Sequence, residues 1–201
     1  MKQYTERMAS LLPDVSTLSV AELRFILAKY GTFVELLSFW SIMWFAYYRV
    51  KSEAGKEALI DNIICEGKDS HQMMLNTFLY NCWAYPDQRC QEIMREALVP
   101  SWGALQRSCQ QDSAFVHIVF LALAENTSLV FIPWLRKAAE NVGCSDFTYT
   151  DVHWEADIKH AQLFEKALYE EKSFLAQSDS DLEVLVNIYF DLMRKIFTPW
   201  E

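Results

Sequence analysis

The stretch SVAELRFILAKYGTFVELLSFWSIMWFAYYRV, residues 19–50, contains the pattern that decides the fold class. Large apolar side chains recur along it at intervals of three and four residues, which places them on one face of a helix. These side chains are Tyr30, Phe33, Leu37, Trp40, Trp44 and Tyr47. Ser19 stands before the first turn, where its hydroxyl can cap free backbone N–H groups. The stretch therefore predicts one long amphipathic helix from Ser19 to about Val50.

Helical periodicity continues through the rest of the 201 residues, and no alternating pattern is long enough to predict a strand. Only 5 Gly and 5 Pro occur, too few for the turns of a β-sandwich or barrel. We predict an all-α protein, a single up-and-down bundle of seven to eight helices forming one domain over residues 1–201. The further predicted helices are 53–66, 71–82, 88–99, 100–110, 113–141 with a kink at Pro133, 147–171 and one that starts at 180.

Charge and composition exclude several classes of protein. Acidic residues outnumber basic ones 27 to 18, and no basic cluster occurs, so we expect no nucleic-acid partner. The start of the chain lacks the apolar core of a signal peptide, and the most apolar run, 36–48, is shorter than the roughly 20 residues of a membrane span. The 5 cysteines contain no Cys-x-x-Cys pair. These features predict a cytoplasmic protein with no membrane partner.

The sequence HWEADIKH, residues 153–160, carries the strongest chemical pattern. His153 and Asp157 are four residues apart and Asp157 and His160 three, so all three side chains share one helix face. Two imidazoles and a carboxylate on one face suit a divalent first-row metal. The alternative is an exposed face that makes ordinary helix contacts.

Glu125 stands within an apolar helical run, VFLALAEN, residues 119–126. A carboxylate there should be buried, and an unpaired buried charge is expensive, so a cation is expected beside it. A metal ion would serve, and so would a Lys or Arg from another helix.

Glu66 and His71 form a third candidate pair. On one straight helix they would point about 140° apart, so both can ligate one site only if the helix breaks between them. Gly67 is the expected break, ending one helix in a left-handed turn, and Asp69 or Ser70 could cap the next. The alternative is a glutamate at a helix end and a histidine at a helix start with no shared role.

Together these residues supply three carboxylates and three imidazoles, a ligand set for two irons. The chain contains no Glu-x-x-His, so the ferritin-like arrangement does not apply. His117, two turns before Glu125, is expected to be a core histidine.

In this order of ligands the chain resembles the haem-oxygenase-like di-iron oxidases and oxygenases, which share a bundle with haem oxygenase and thiaminase II. That family has a Glu and a His around its second and third core helices, then a single Glu, then His-x-x-x-Asp-x-x-His. The matching positions here are Glu66, His71, Glu125, His153, Asp157 and His160. The interval from Glu66 to His71 is shorter than is usual in the family. No His precedes position 71 as a haem ligand, and no pattern around Cys144 supports a thiaminase nucleophile.

The resemblance implies two Fe ions (Fe2+/Fe3+) that activate O2 as a co-substrate, with Glu125, His153 and Asp157 closest to catalysis. The implied substrate is a small amine, an amino acid, which could be aromatic, or a fatty acid, oxidised by N-oxygenation, desaturation or C–C cleavage to an alkene or nitrile. A role in natural-product biosynthesis and an external electron donor are further implications, and a homodimer stays open.

The first long helix borders the active cavity in such bundles, so Phe33, Leu37 and Trp40 are predicted to line a substrate pocket. An amino-acid substrate would need a cation for its carboxylate, and the candidates are Lys29, Arg136 and Lys159. Two other classes of function stay open. One is a self-sacrificing synthase that oxidises one of its own side chains, and the other is a metal-free helical binding protein.

Overall fold

The computed structural model describes residues 2–68, 71–110, 113–174 and 179–199, and these residues contain helices and no strand. The predicted all-α bundle is confirmed. The helices are α1 (Lys2–Leu11), α2 (Val20–Leu37), α3 (Phe39–Tyr47), α4 (Glu53–Lys68), α5 (His71–Asn81), α6 (Gln88–Gln110), α7 (Phe115–Asn141), α8 (Thr148–Lys172) and α9 (Asp179–Phe197). A short 3-10 turn, Val15–Thr17, joins α1 to α2.

The predicted long first helix is wrong in one respect, because it breaks at Ser38. Ser19 does start α2, and its side chain and that of Glu22 form a reciprocal capping box. Ser38, however, has a left-handed backbone with φ 52° and ψ 62°, which separates α2 from α3. With α2 and α3 taken as one broken helix, the described residues hold eight helices, including α1, which the sequence pattern did not predict.

Two predicted helix ends are also wrong. The helices 88–99 and 100–110 are one continuous helix, α6, which passes through Pro100. Helix α7 contains Pro133 within its length, as the predicted helix 113–141 does. A proline removes one backbone hydrogen bond from a helix, and α6 continues through Pro100 despite that loss. Gly67 lies inside α4 and does not end it.

One hydrophobic core joins side chains from all nine helices. Helix α7 lies at its centre, since it contacts α1, α2, α3, α6, α8 and α9. The most extensive helix contacts are those of α8 with α7 and with α4. The candidate ligands of the sequence therefore lie on four helices, α4, α5, α7 and α8.

Two helical stretches, Val20–Tyr47 and Phe115–Asn141, have the length and apolar composition of a membrane span. The most apolar part of the second is 78% buried within the bundle, and that of the first is 56% buried. A helix that is covered on all sides is apolar all round, so burial accounts for the composition of α7.

Candidate metal centre

The structure brings all six predicted ligands together in two groups, each of which could hold a metal ion. Within each group, one potential ligand atom per residue lies within 4.8 Å of the others. The groups are Glu66, His71 and His153, and Glu125, Asp157 and His160. The first group combines side chains of α4, α5 and α8 and the second combines those of α7 and α8, so helix α8 contributes to both.

In the first group, Glu66 and His71 meet although they end and begin different helices. The Nδ1 atom of His71 lies 2.7 Å from Oε1 of Glu66. This approach lacks the angle of a ring N–H hydrogen bond, and neither ring nitrogen of His71 has a hydrogen-bond partner although the residue is only 4% exposed. Burial favours a raised pKa of Glu66, but the nearby His71, together with the charges of His153 and His160, holds that pKa below its usual value.

His153 completes this group from α8, with its ring centroid 4.5 Å from that of His71. Its Nδ1 lies 2.9 Å from the backbone oxygen of Tyr149, one turn earlier. With Nδ1–H donating to that oxygen, Nε2 is left as the ligand atom. Burial lowers the pKa of His153, which favours the neutral ring that metals bind.

The predicted helix end at Gly67 is wrong, since α4 continues to Lys68, and α5 begins at His71. A Cβ atom at Gly67 would lie 3.1 Å from Cη2 of Trp40, so this glycine provides room for the indole rather than a left-handed turn. The predicted caps, Asp69 and Ser70, lie outside the described residues.

In the second group, Glu125 has neutral and imidazole neighbours. Its Oε1 accepts a hydrogen bond from Nδ2 of Asn62 at 2.7 Å, and its Oε2 lies 3.6 Å from Nδ1 of His160. Among the described residues no Lys or Arg forms an ion pair with Glu125, so the alternative of a protein cation finds no support there. The side chain is 14% exposed, which is less buried than the apolar run predicts, because it borders a cavity.

Asp157 is the most deeply buried carboxylate of the two groups, with 5% of its surface exposed. Its Oδ2 atom has no hydrogen-bond partner. Burial, followed by the charge of Glu125, raises the pKa of Asp157 well above its usual value. A buried carboxylate oxygen without a partner, beside a second carboxylate, is the arrangement that a bound cation would stabilise.

Two polar residues of α4 support this group and were not predicted from the sequence. Asn62 orients Glu125, and Asp61 places Oδ2 3.3 Å from Nε2 of His160 while its other oxygen pairs with Lys159. A carboxylate on the outer nitrogen of a ligand histidine fixes the ring and raises its basicity. The signal for Asn62 was its position four residues before Glu66, which puts both on one face; Asp61 had no such signal.

A cavity of about 350 Å³ adjoins both groups. Glu66, His71, Glu125, His153 and Asp157 lie in its wall. Its other walls are largely apolar and come from α2, α3, α5 and α7. The two groups therefore adjoin a space large enough for a small molecule.

Of the predicted pocket residues, Trp40 lines this cavity, whereas Phe33 and Leu37 do not. Phe33 lies one layer behind, with its ring edge against Phe39, which does line the cavity. The break at Ser38 shifts α3 relative to α2, so the face that the sequence pattern treats as continuous is divided between core and cavity.

None of the three predicted carboxylate-binding cations lines the cavity. Lys29 is buried and donates to backbone oxygens of Lys195 and Thr198 at the end of α9. Arg136 pairs with acidic groups at the surface, and Lys159 pairs with Asp61. Periodicity placed these cations on helices but not on the face that meets the cavity.

His117 is a core histidine, as predicted. It is 3% exposed and stacks on Phe45 with ring centroids 4.4 Å apart, and it belongs to neither group of ligands. Burial and the charge of Arg49 lower the pKa of His117 to about 4.

Comparisons with protein-family models, curated proteins and solved structures found no match to this chain. The resemblance to haem-oxygenase-like di-iron enzymes therefore stays a prediction that depends on the ligand pattern. The structure shows in addition that these six side chains lie in two groups.

Proposed function

We propose that this protein is an O2-dependent non-haem di-iron oxidoreductase that oxidises a small-molecule substrate held in the cavity beside the two ligand groups. The observation that supports it most is the convergence of three carboxylates and three imidazoles beside one small cavity. The unpartnered atoms of His71 and Asp157 add to this support, because buried polar atoms normally have partners. The proposal includes a cytoplasmic location and an external electron donor.

Mixed nitrogen and oxygen ligands from His and carboxylates fit iron among the first-row metals. Bound iron would supply the activation of O2 and the oxidising equivalents. The chain's own contribution is to hold the ligands: Tyr149 fixes the tautomer of His153, Asn62 orients Glu125, and Asp61 orients His160. Burial and the charge of Glu125 raise the pKa of Asp157, so a cation bound beside this carboxyl would favour its charged form.

The apolar wall of the cavity has a second role. It excludes bulk water and holds the substrate against the ligand groups, which protects a reactive oxidant from unproductive reduction. The known outcomes of such enzymes, N-oxygenation, desaturation and C–C cleavage, all need this exclusion.

The test is iron-dependent consumption of O2 by the anaerobically loaded protein, with products identified by mass spectrometry from a panel of amines, amino acids and fatty acids. The matched pair of variants is Asp157→Asn, which should abolish turnover, and Glu155→Gln, an exposed carboxylate on the same helix, which should not. The proposal would be contradicted if turnover persists in Asp157→Asn. It would also be contradicted if the chain binds no iron, which would favour the alternative of a metal-free helical binding protein.

One observation favours a second candidate, the self-sacrificing synthase. Tyr149 lies beside His153 with ring centroids 4.2 Å apart, and its hydroxyl is 2.8 Å from that of Tyr30. Both phenols are buried and line the cavity. A protein of this kind would show a permanent mass change on a peptide containing one of these tyrosines after a single exposure to O2, and Tyr149→Phe would prevent it.

A further inference from the structure

The cavity has an acidic rather than a basic wall. Its charged lining residues are the ligand candidates Glu66, Glu125 and Asp157, together with Glu35. Among the side chains that the structure describes, no Lys or Arg lines it. A substrate carboxylate would therefore meet negative charge on these side chains, apart from metal ions bound by the ligand groups.

Glu35 differs from the other three carboxylates in position and in partners. It lies near the end of α2, one turn before the break at Ser38, and it is exposed, whereas the ligand groups lie among buried residues. It forms no hydrogen bond or ion pair with any residue that the structure describes. Glu35 therefore marks the open end of the cavity with an unpaired negative charge.

The surroundings of Glu35 are suited to an organic cation. Phe39 and Trp40 follow the break and also line the cavity, and Trp40 packs against Gly67 of α4. Aromatic faces attract ammonium groups, so these rings add to the attraction of the carboxylate. Deeper in the cavity, Leu75, Leu121 and Ile132 offer an apolar wall.

At about 350 Å³ the cavity is at the lower end of the range of small-molecule sites. We infer that its substrate is a small apolar or aromatic amine, bound as an ammonium ion against Glu35 with its apolar part toward the ligand groups, and that fatty acids and other free carboxylates are disfavoured. The inference depends on the proposed function in one respect, that this cavity holds the substrate.

The test measures binding rather than turnover, on protein loaded with zinc as a redox-inert ion. Three probes share one apolar group and differ in charge: phenethylamine, hydrocinnamate and phenethyl alcohol. Because bound zinc can itself ligate a carboxylate, the deciding comparison is with the neutral probe, and calorimetric titration should show phenethylamine binding about tenfold more tightly than phenethyl alcohol. Hydrocinnamate should bind more tightly to Glu35→Gln than to the wild type, since the substitution removes a like charge. The same titrations with Glu35→Gln should show about fivefold weaker binding of the amine and unchanged binding of the alcohol. The control Glu155→Gln makes the same charge change outside the cavity and should leave all three affinities unchanged.

Phenethyl alcohol binding as tightly as phenethylamine, or an amine affinity that Glu35→Gln leaves unchanged, would overturn the inference. These results are separable from the fate of the proposed function. If amine binding requires Glu35 but the protein consumes no O2 with iron, the enzyme proposal is contradicted and the amine site stands. If the protein consumes O2 with iron but binds no amine, the amine site is contradicted and the enzyme proposal stands. If zinc does not bind, the comparison of wild type with Glu35→Gln is made on the metal-free chain with the same expected ratio.

Discussion

Substitution of Glu125 can separate its charge from its hydrogen bond. In Glu125→Gln an amide oxygen remains where Oε1 accepts Nδ2 of Asn62 at 2.7 Å, but the charge is lost. In Glu125→Ala both are lost. No Lys or Arg of the described residues pairs with Glu125, and its charge acts on His160, whose pKa it helps to raise against the effect of burial. The two variants should differ in stability because only Glu125→Ala loses the hydrogen bond to Asn62.

The magnitude follows from the burial of Asn62, which is 2% exposed. Alanine leaves its buried amide N–H without an acceptor, which should lower the free energy of unfolding of the metal-free protein by about 1–3 kcal/mol. Glutamine keeps the hydrogen bond and removes a charge that helps to raise the pKa of Asp157. The free energy of unfolding of Glu125→Gln at neutral pH should therefore lie within about 1 kcal/mol of wild type, or above it.

Urea denaturation of the metal-free proteins measures these differences, and anaerobic titration with ferrous iron measures the metal bound by each. Both variants should bind at most one iron per chain. A metal-free Glu125→Gln protein as unstable as Glu125→Ala would show that the charge itself stabilises the fold, and two irons bound by Glu125→Gln would show that this carboxylate is not a ligand.

Three further predictions concern residues around the site and in the core. The pKa of His117 is about 4 in the folded protein and about 6.5 in the unfolded chain. Protonation of the unfolded chain should therefore lower the free energy of unfolding by up to about 3 kcal/mol as pH falls from above 6.5 to 4. In urea denaturation His117→Gln should not show this loss, and a pH dependence equal to that of the wild type would contradict the prediction. Lys29→Met removes the charged hydrogen bonds to the end of α9 and should lower the free energy of unfolding by about 1.5–3 kcal/mol, with faster hydrogen exchange over residues 190–198. Unchanged stability and exchange would show that these hydrogen bonds do not hold the end of α9. Asp61→Asn should weaken metal affinity about 10- to 100-fold through His160 without loss of helicity, and equal affinity would show that Asp61 does not orient that ring.

The sequence predicts the helices and the ligand set because both depend on local spacing. The interval from His153 through Asp157 to His160 fixes a shared helix face whatever surrounds it. Glu125 is conspicuous because it interrupts an apolar run, and the chain then supplies the two groups in the order of the pattern.

Long-range contacts are not readable from that spacing. Asp61 lies beside His160, 99 residues later, only because α4 packs against α8. Gly67 provides room for Trp40 rather than ending a helix, and this role depends on a ring from another helix. The break at Ser38 likewise places a left-handed backbone at a serine, where neither glycine nor proline marks a helix end.

The most direct test of the two-metal account is the position of iron itself. Crystals of the anaerobically iron-loaded protein, measured at the iron absorption edge, should show two anomalous peaks per chain. One should lie among Glu66, His71 and His153, and the other among Glu125, Asp157 and His160. A single peak, or peaks that place the iron ions elsewhere on the chain, would contradict the assignment of these six side chains to two irons.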